Sequence, residues 1–208
     1  MYMLHMDKLT PEALSSLKPS FENVPETDHK DGKYRLRRYS KVQLLMEPNK
    51  FKTMEATEFN QSSDYNNFQG DVPRTFENIE ENTLGSKGME EMMCLFRTLN
   101  QLPHETEVDI HQMRVITLHD ETPVSPEGAH QDGYECIAMF GIARENIEGG
   151  ELLVTDSQDG SPFIQLPLNE GTGVFLNDRA LWHNATKLNA VEKDRTGYTD
   201  VFILTAHK

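Results

Sequence analysis

From Glu107 onward the sequence is a succession of short β-prone runs: 107–119, 134–143, 151–155, 162–167, 172–177, 181–186 and 198–206. Turn clusters part them, among them Glu148-Gly149-Gly150, Asp159-Gly160-Ser161 and Asn169-Glu170-Gly171. Spacing of this kind predicts an antiparallel sandwich or barrel rather than a βαβ sheet. The expected fold class is mainly β with flanking helices.

The flanks come from the earlier half. Thr10-Pro11-Glu12 combines an N-cap, a proline suited to the first helical position and an acidic first turn, so a short helix is predicted through Lys18. Residues 20–33 are polar and turn-rich. The run 34–45 reads as a strand carrying Arg35, Arg37 and Arg38, and 55–72, rich in Asn, Gln, Ser and Asp, reads as a loop. Within 88–102, Met89, Met92, Met93, Phe96 and Leu99 recur at helical spacing. A helix over 88–101 is therefore expected on the outer face of one sheet, its methionines filling core. The 208 residues suit a single domain, 1–208, with a short helical and loop extension over 1–33.

Charge narrows the partners. A net charge of −14 disfavours phosphate backbones and anionic lipid surfaces, so neither nucleic acid nor membrane is expected as a partner. Cys94 and Cys136 are the two cysteines, both in apolar runs and without a C-x-x-C. Buried free thiols in a reducing cytoplasm are expected, not a disulfide or a cysteine zinc site. Residues 1–10 lack the apolar stretch of a signal peptide, which also points to the cytoplasm.

The stretch Gly128-Ala129-His130-Gln131-Asp132-Gly133 and the distant Leu181-Trp182-His183 carry the chemistry. Side chains at i and i+2 of an extended segment point the same way, so His130 and Asp132 can present a nitrogen and an oxygen to one point. A later strand can bring His183 alongside. Two imidazoles and one carboxylate on one face of a cation leave positions open on the other, as a non-haem Fe(II) centre requires. The alternative is an ordinary turn aspartate and a surface histidine. His29-Lys30-Asp31 shares the spacing but falls in a polar loop, where a solvated face is expected; His119-Asp120-Glu121 closes a strand, where turn roles suit it better.

Several motifs in order resemble one family. Pro126-Glu127-Gly128-Ala129-His130-Gln131-Asp132-Gly133, then Ala143-Arg144-Glu145-Asn146-Ile147-Glu148-Gly149-Gly150-Glu151, then Trp182-His183-Asn184-Ala185-Thr186 are similar to the bacterial 2-oxoglutarate/Fe(II) dioxygenases that include the L-isoleucine 4-hydroxylases. Tyr34-Arg35-Leu36-Arg37-Arg38-Tyr39-Ser40, Gly70-Asp71-Val72-Pro73-Arg74-Thr75-Phe76 and His111-Gln112-Met113-Arg114 extend the likeness to about residues 32–206. The resemblance implies a double-stranded β-helix, a distorted, cupin-like jelly roll, with His130, Asp132 and His183 as iron ligands. It also implies O₂ and 2-oxoglutarate as co-substrates and hydroxylation of a free amino acid or similar small polar metabolite.

One position departs from the pattern. Where the family usually reads Gly-Tyr-Arg-Asp-Val, this chain reads Gly197-Tyr198-Thr199-Asp200-Val201. The resemblance assigns that arginine to the distal carboxylate of 2-oxoglutarate, and a threonine hydroxyl does not replace a bidentate cation. Arg195, or Arg114 or one of Arg35, Arg37 and Arg38 from a neighbouring strand, can supply the charge; alternatively the co-substrate differs or turnover is lost. Arg114 is expected to reach the pocket, and Gln112, on the same face, to contact substrate or co-substrate. Trp182 is expected in the core and Glu148-Gly149-Gly150 in a hairpin turn, with Asp178 and Asp200 in turns or polar networks. A hydroxylase is the leading function. A metal-binding β protein with altered co-substrate use or no turnover is the alternative. A zinc hydrolase lacks a general-base glutamate at recognisable spacing.

Overall fold

The computed structural model describes residues 4–55, 58–65, 68–117 and 120–208. His119 of the His119-Asp120-Glu121 triplet and the end of the predicted run 107–119 therefore lie outside the described residues, as do 1–3 of the N-terminal stretch and 56–57 and 66–67 of the predicted loop. The elements, in chain order, are β1 (Leu4–Lys8), α1 (Pro11–Leu17), β2 (Arg35–Leu44), β3 (Phe51–Thr53), β4 (Glu58–Phe59), β5 (Arg74–Thr75), α2 (Glu81–Leu84) and α3 (Lys87–Asn100). There follow β6 (Glu107–Ile116), β7 (Cys136–Glu145), β8 (Ile147–Gly149), β9 (Glu151–Thr155), β10 (Ile164–Pro167), β11 (Thr172–Leu176), β12 (Trp182–Ala185), β13 (Leu188–Ala190) and β14 (Tyr198–Ala206).

Seven strands form one antiparallel sheet in the order β1-β11-β7-β14-β6-β2-β3. A smaller sheet, β10-β9-β12, lies across one face, with the β13-β8 pair beside it. This is the mainly β, jelly-roll architecture expected, built from two facing sheets.

Period-two alternation then assigns each residue of the large sheet to one of two layers. Val42, Val108, Ile110, Ala138, Phe140, Phe202 and Leu204 point outward and pack with Leu17, Phe21, Met89, Met92, Met93 and Phe96 of the helical side. Met113, Val115, Ile137, Met139 and Val201 point inward to Leu152, Val154 and Leu181 of the smaller sheet. Burial on both faces explains why β6 reads as a nearly continuous buried run.

The helices begin where the sequence places caps. The Thr10 side chain accepts from the Ala13 backbone N–H, Pro11 opens α1, and a 3₁₀ turn over Lys18–Phe21 extends it. Ser86 caps α3, and the methionines Met89, Met92 and Met93 are wholly buried, as the helical spacing requires. Both cysteines are free.

Three expectations need correction. Trp182 is only half-buried, and its neighbour Leu181 fills the core instead. Gly149 and Gly150 do adopt positive φ, but β8 pairs with β13 and β9 with β10 and β12, so the turn passes the chain between sheets and is no hairpin. Asp31 is not solvated: it is 5% exposed and bonded to Arg35 and Gln69. No described helix is long and apolar enough to cross a membrane.

Candidate metal centre

His130 sits on an extended segment whose backbone pairs with β12: His130 and His183 exchange two N–H···O bonds of 3.0 Å. The ladder places the imidazoles side by side, ring centroids 4.3 Å apart. Asp132, two residues on, projects to the same side. Its Oδ1 lies 3.6 Å from His130 Nε2 and its Oδ2 3.5 Å from His183 Nε2. One ligand atom from each of the three residues lies within 4.8 Å of the other two, so the group can hold a metal ion. Gly133 closes the segment at φ 89°, where a side chain would strain the backbone and meet the Tyr65 ring at 2.9 Å.

Surrounding groups fix these side chains. His130 Nδ1 lies 2.8 Å from the Gly128 carbonyl, which places the proton on Nδ1 and turns the Nε2 lone pair toward Asp132. Gln61 donates to Asp132 Oδ1 at 2.8 Å. Asp178, wholly buried, accepts from the backbone N–H groups of Asp132 and Gly133 at 2.7 and 2.9 Å. Its other oxygen is 3.3 Å from His183 Nδ1, out of line for a hydrogen bond. Asp178 thus belongs to the polar network expected of it.

Electrostatics agree with a cation site. Burial alone would raise the Asp132 pKa, but His183, His130 and Gln61 outweigh it and hold the carboxyl well below the usual range. Burial likewise opposes charge on His183, yet Asp132 and Asp178 pull its pKa up to about 10. His130 is pushed down, by burial and then by His183. One ionised carboxylate thus favours a positive charge between the two rings, a place that a proton or a metal ion can take. Two nitrogens and one oxygen, all from one side, match the donor set of a facial Fe(II) site.

The centre opens on a pocket between the sheets, walled by apolar Met139, Leu152, Val201 and Ile203 and by polar Arg35, Arg37, Arg74, His111, Glu127 and Thr199. Thr199 is there as register demands, its hydroxyl donating to the Ala143 carbonyl at 3.3 Å. The structure does not bring Arg114, Gln112 or Arg195 to this pocket. Arg114 and Gln112 share a face of β6, but it is the opposite one from His111, Met113 and Val115. There Arg114 makes a bidentate pair with Asp200, 2.7 Å for each bond, and Gln112 donates to Ser20. Arg195 is half-exposed and paired with Glu192 and Glu145. Arg38 also points outward, to Glu77 and Glu80, whereas Arg35 and Arg37 point inward.

Sequence reasoning did not single out Gln61, His111 or Glu127 as functional. Gln61 lies in the polar stretch read as a loop. His111 and Glu127 stand inside motifs of the resemblance, and alternation with Met113 was the available signal for His111.

Comparisons with known proteins agree with this geometry. The family model described as 2OG-Fe dioxygenase matches residues 18–205. The structure is similar to that of a bsmA homologue from Methylobium petroleophilum PM1, with TM-score 0.80, 25% identity and coverage of 94% of this chain and 81% of that one. It also resembles IDO from Bacillus thuringiensis, with TM-score 0.78, 18% identity and coverage of 99% and 94%. A third likeness is to the Fe(II)/α-ketoglutarate-dependent dioxygenase TqaL, with TM-score 0.70, 11% identity and coverage of 99% and 83%. No curated protein matches by sequence. Fold and site together define a metal-dependent oxygenase, and the chain belongs to the 2OG-Fe dioxygenase family. It is a dioxygenase of a family that uses Fe(II) and 2-oxoglutarate.

Proposed function

We propose that the chain hydroxylates a free amino acid or similar small polar metabolite, with His130, Asp132 and His183 as the iron ligands. The observation that carries this reading is the convergence of those three side chains on one point inside a pocket that also presents arginines. The motif likeness to the L-isoleucine 4-hydroxylases supports the amino-acid substrate class. Fe(II) and 2-oxoglutarate, when bound, would let O₂ act as the oxidant: one of its oxygen atoms would end in the succinate left as the co-substrate loses CO₂, and the other in a C–H bond of the substrate.

The chain's own residues do the positioning. The Gly128 carbonyl orients the His130 imidazole, Asp178 holds the Asp132–Gly133 backbone and places its charge behind His183, and Gln61 steadies the Asp132 carboxylate. The apolar wall of Met139, Leu152, Val201 and Ile203 excludes water around the reacting C–H bond. The test is incubation of the purified chain with Fe(II), 2-oxoglutarate, O₂ and a panel of free amino acids, followed by mass spectrometry. A product one oxygen heavier, with matching succinate, is the expected result. Thr199 favours a different reading, a metal-binding protein without turnover; metal uptake with neither succinate nor product would select it.

A further inference from the structure

Beyond the three metal-ligand candidates, the pocket wall carries a surplus of positive charge. Arg35 and Arg37 leave the inner face of β2 and Arg74 enters from β5; they are 8%, 8% and 3% exposed. Arg35 is answered within the chain, by Asp31 at 2.7 Å and Glu127 at 3.4 Å. Arg37 is not. Among the described residues its guanidinium bonds only to the Met113 sulfur, at 3.3 Å, and stands 5.4 Å from the centroid of the Phe76 ring. Arg74 lies 5.1 Å from the centroid of the Phe59 ring, has no ion pair among the described residues, and its buried Nε lacks a hydrogen-bond partner. His111, on the same wall, also has a buried Nδ1 without a partner. Burial, then the charges of Arg37 and Arg74, push its pKa well below the ordinary value, so the ring is neutral at pH 7.

A sulfur atom and two ring faces are poor exchange for the water that a guanidinium gives up. Among the described residues, three guanidinium groups stand here against two carboxylates, Asp31 and Glu127, while Asp132 is committed to the metal-ligand set. The charge balance is incomplete without an anion from outside. Register places the surplus. Arg37 pairs with Met113 on β6, which pairs with Val201 on β14, two residues from Thr199. Neighbouring strands are about 4.8 Å apart, so a head group resting on Met113 sits one row from the strand whose position 199 lacks the cation.

We propose that Arg37 and Arg74 form a carboxylate-binding site on the pocket wall. The carboxylate comes from one of two sources, the distal end of 2-oxoglutarate or the substrate acid; naming these two rests on the oxygenase reading above. Two planar forks around one carboxylate satisfy both of its oxygens and cancel the surplus charge.

The test is calorimetric titration of the full chain, wild type and Arg37→Met, Arg74→Met and Arg37→Lys. The ligands are 2-oxoglutarate, succinate and free L-amino acids, added to metal-free and to anaerobic Fe(II)-loaded protein. Each methionine variant weakens binding of one ligand class by about 10- to 100-fold, and Arg37→Lys falls between. Loss confined to the two dicarboxylates identifies the co-substrate end, and loss confined to amino acids identifies the substrate; either supports the site. Affinities unchanged for both classes would overturn it. Thermal unfolding without ligand guards against a folding artefact. Arg37→Met removes an unpaired buried cation and melts at or above the wild-type temperature, whereas a lower melting temperature would assign the guanidinium to the fold and overturn the proposal. The two readings fail separately. Succinate binding lost in Arg37→Met, in a chain that takes up no Fe(II), would leave this site standing and remove the oxygenase; 2-oxoglutarate and amino acids bound by the Fe(II)-loaded wild type with affinities unchanged in Arg37→Met and Arg74→Met would do the reverse.

Discussion

At the ligand end of the pocket the three metal-ligand candidates are backed by groups of the chain itself, whereas on the wall formed by β2 and β5 the Arg37 guanidinium meets no carboxylate among the described residues. Gln61 donates to Asp132 Oδ1, the His130 and His183 rings flank that carboxylate, the Gly128 carbonyl accepts from His130 Nδ1, and Asp178 accepts from the backbone of Asp132 and Gly133. On the wall, Asp31 and Glu127 neutralise Arg35 and leave Arg37 against sulfur and a ring. The difference teaches what each end is prepared for. A preorganised set of two nitrogens and an oxygen needs only a cation, and an under-compensated guanidinium needs an anion.

The comparison breaks most sharply at Asp132. Asp132→Ala removes the one anionic donor and is expected to cost more than about 100-fold in Fe(II) affinity, beyond what outer-shell changes cost; anaerobic metal titration checks it. Asp178→Asn keeps the size but withdraws the charge behind His183, and should cost about 10- to 100-fold in the same titration. An unchanged affinity there would show that the ligand end is not held from behind.

Two further changes sharpen the other side. Asp31→Asn takes away half of Arg35's compensation and is expected to destabilise the fold by ~2 kcal/mol, less than for a fully orphaned buried charge because Glu127 remains. The pH dependence gives its signature. Burial would raise both carboxyls, but Arg35 and then Arg37 outweigh it at Asp31, and Arg35 and then His130 at Glu127, so both pKa values lie below the ordinary 3.8 and 4.5. Groups with depressed values contribute stability above their unfolded pKa and lose it as pH falls through the folded one. The wild-type melting temperature should therefore drop as pH falls below about 4.5, and Asp31→Asn should flatten that limb. Thr199→Arg has the smallest expected effect, about tenfold tighter 2-oxoglutarate binding. An unchanged affinity would mean that another cation already meets the distal carboxylate.

The legible part of the molecule was the part written in local pattern. Turn clusters and short runs from Glu107 on gave the antiparallel fold, Thr10-Pro11 and the methionine spacing gave α1 and α3, and the i, i+2 pair gave His130 and Asp132 their common direction. The inward or outward choice of a strand face was not legible. Arg114 and Gln112 do share one side of β6, but only the position of the helices decides that it is the outer side. Long-range partners were hidden for the same reason: nothing local in His29-Lys30-Asp31 tells that Asp31 is buried against Arg35. The short strands β1, β4, β8 and β13 were missed because pieces of two to five residues carry no clear alternation.

Anaerobic addition of Fe(II) and then 2-oxoglutarate, followed in the visible spectrum, asks whether the two ends of the pocket work on one complex. One Fe(II) per chain should bind, and a weak charge-transfer band should grow with 2-oxoglutarate and be absent in Asp132→Ala. Iron uptake no greater than in Asp132→Ala, with no band, would contradict a metal held by His130, Asp132 and His183.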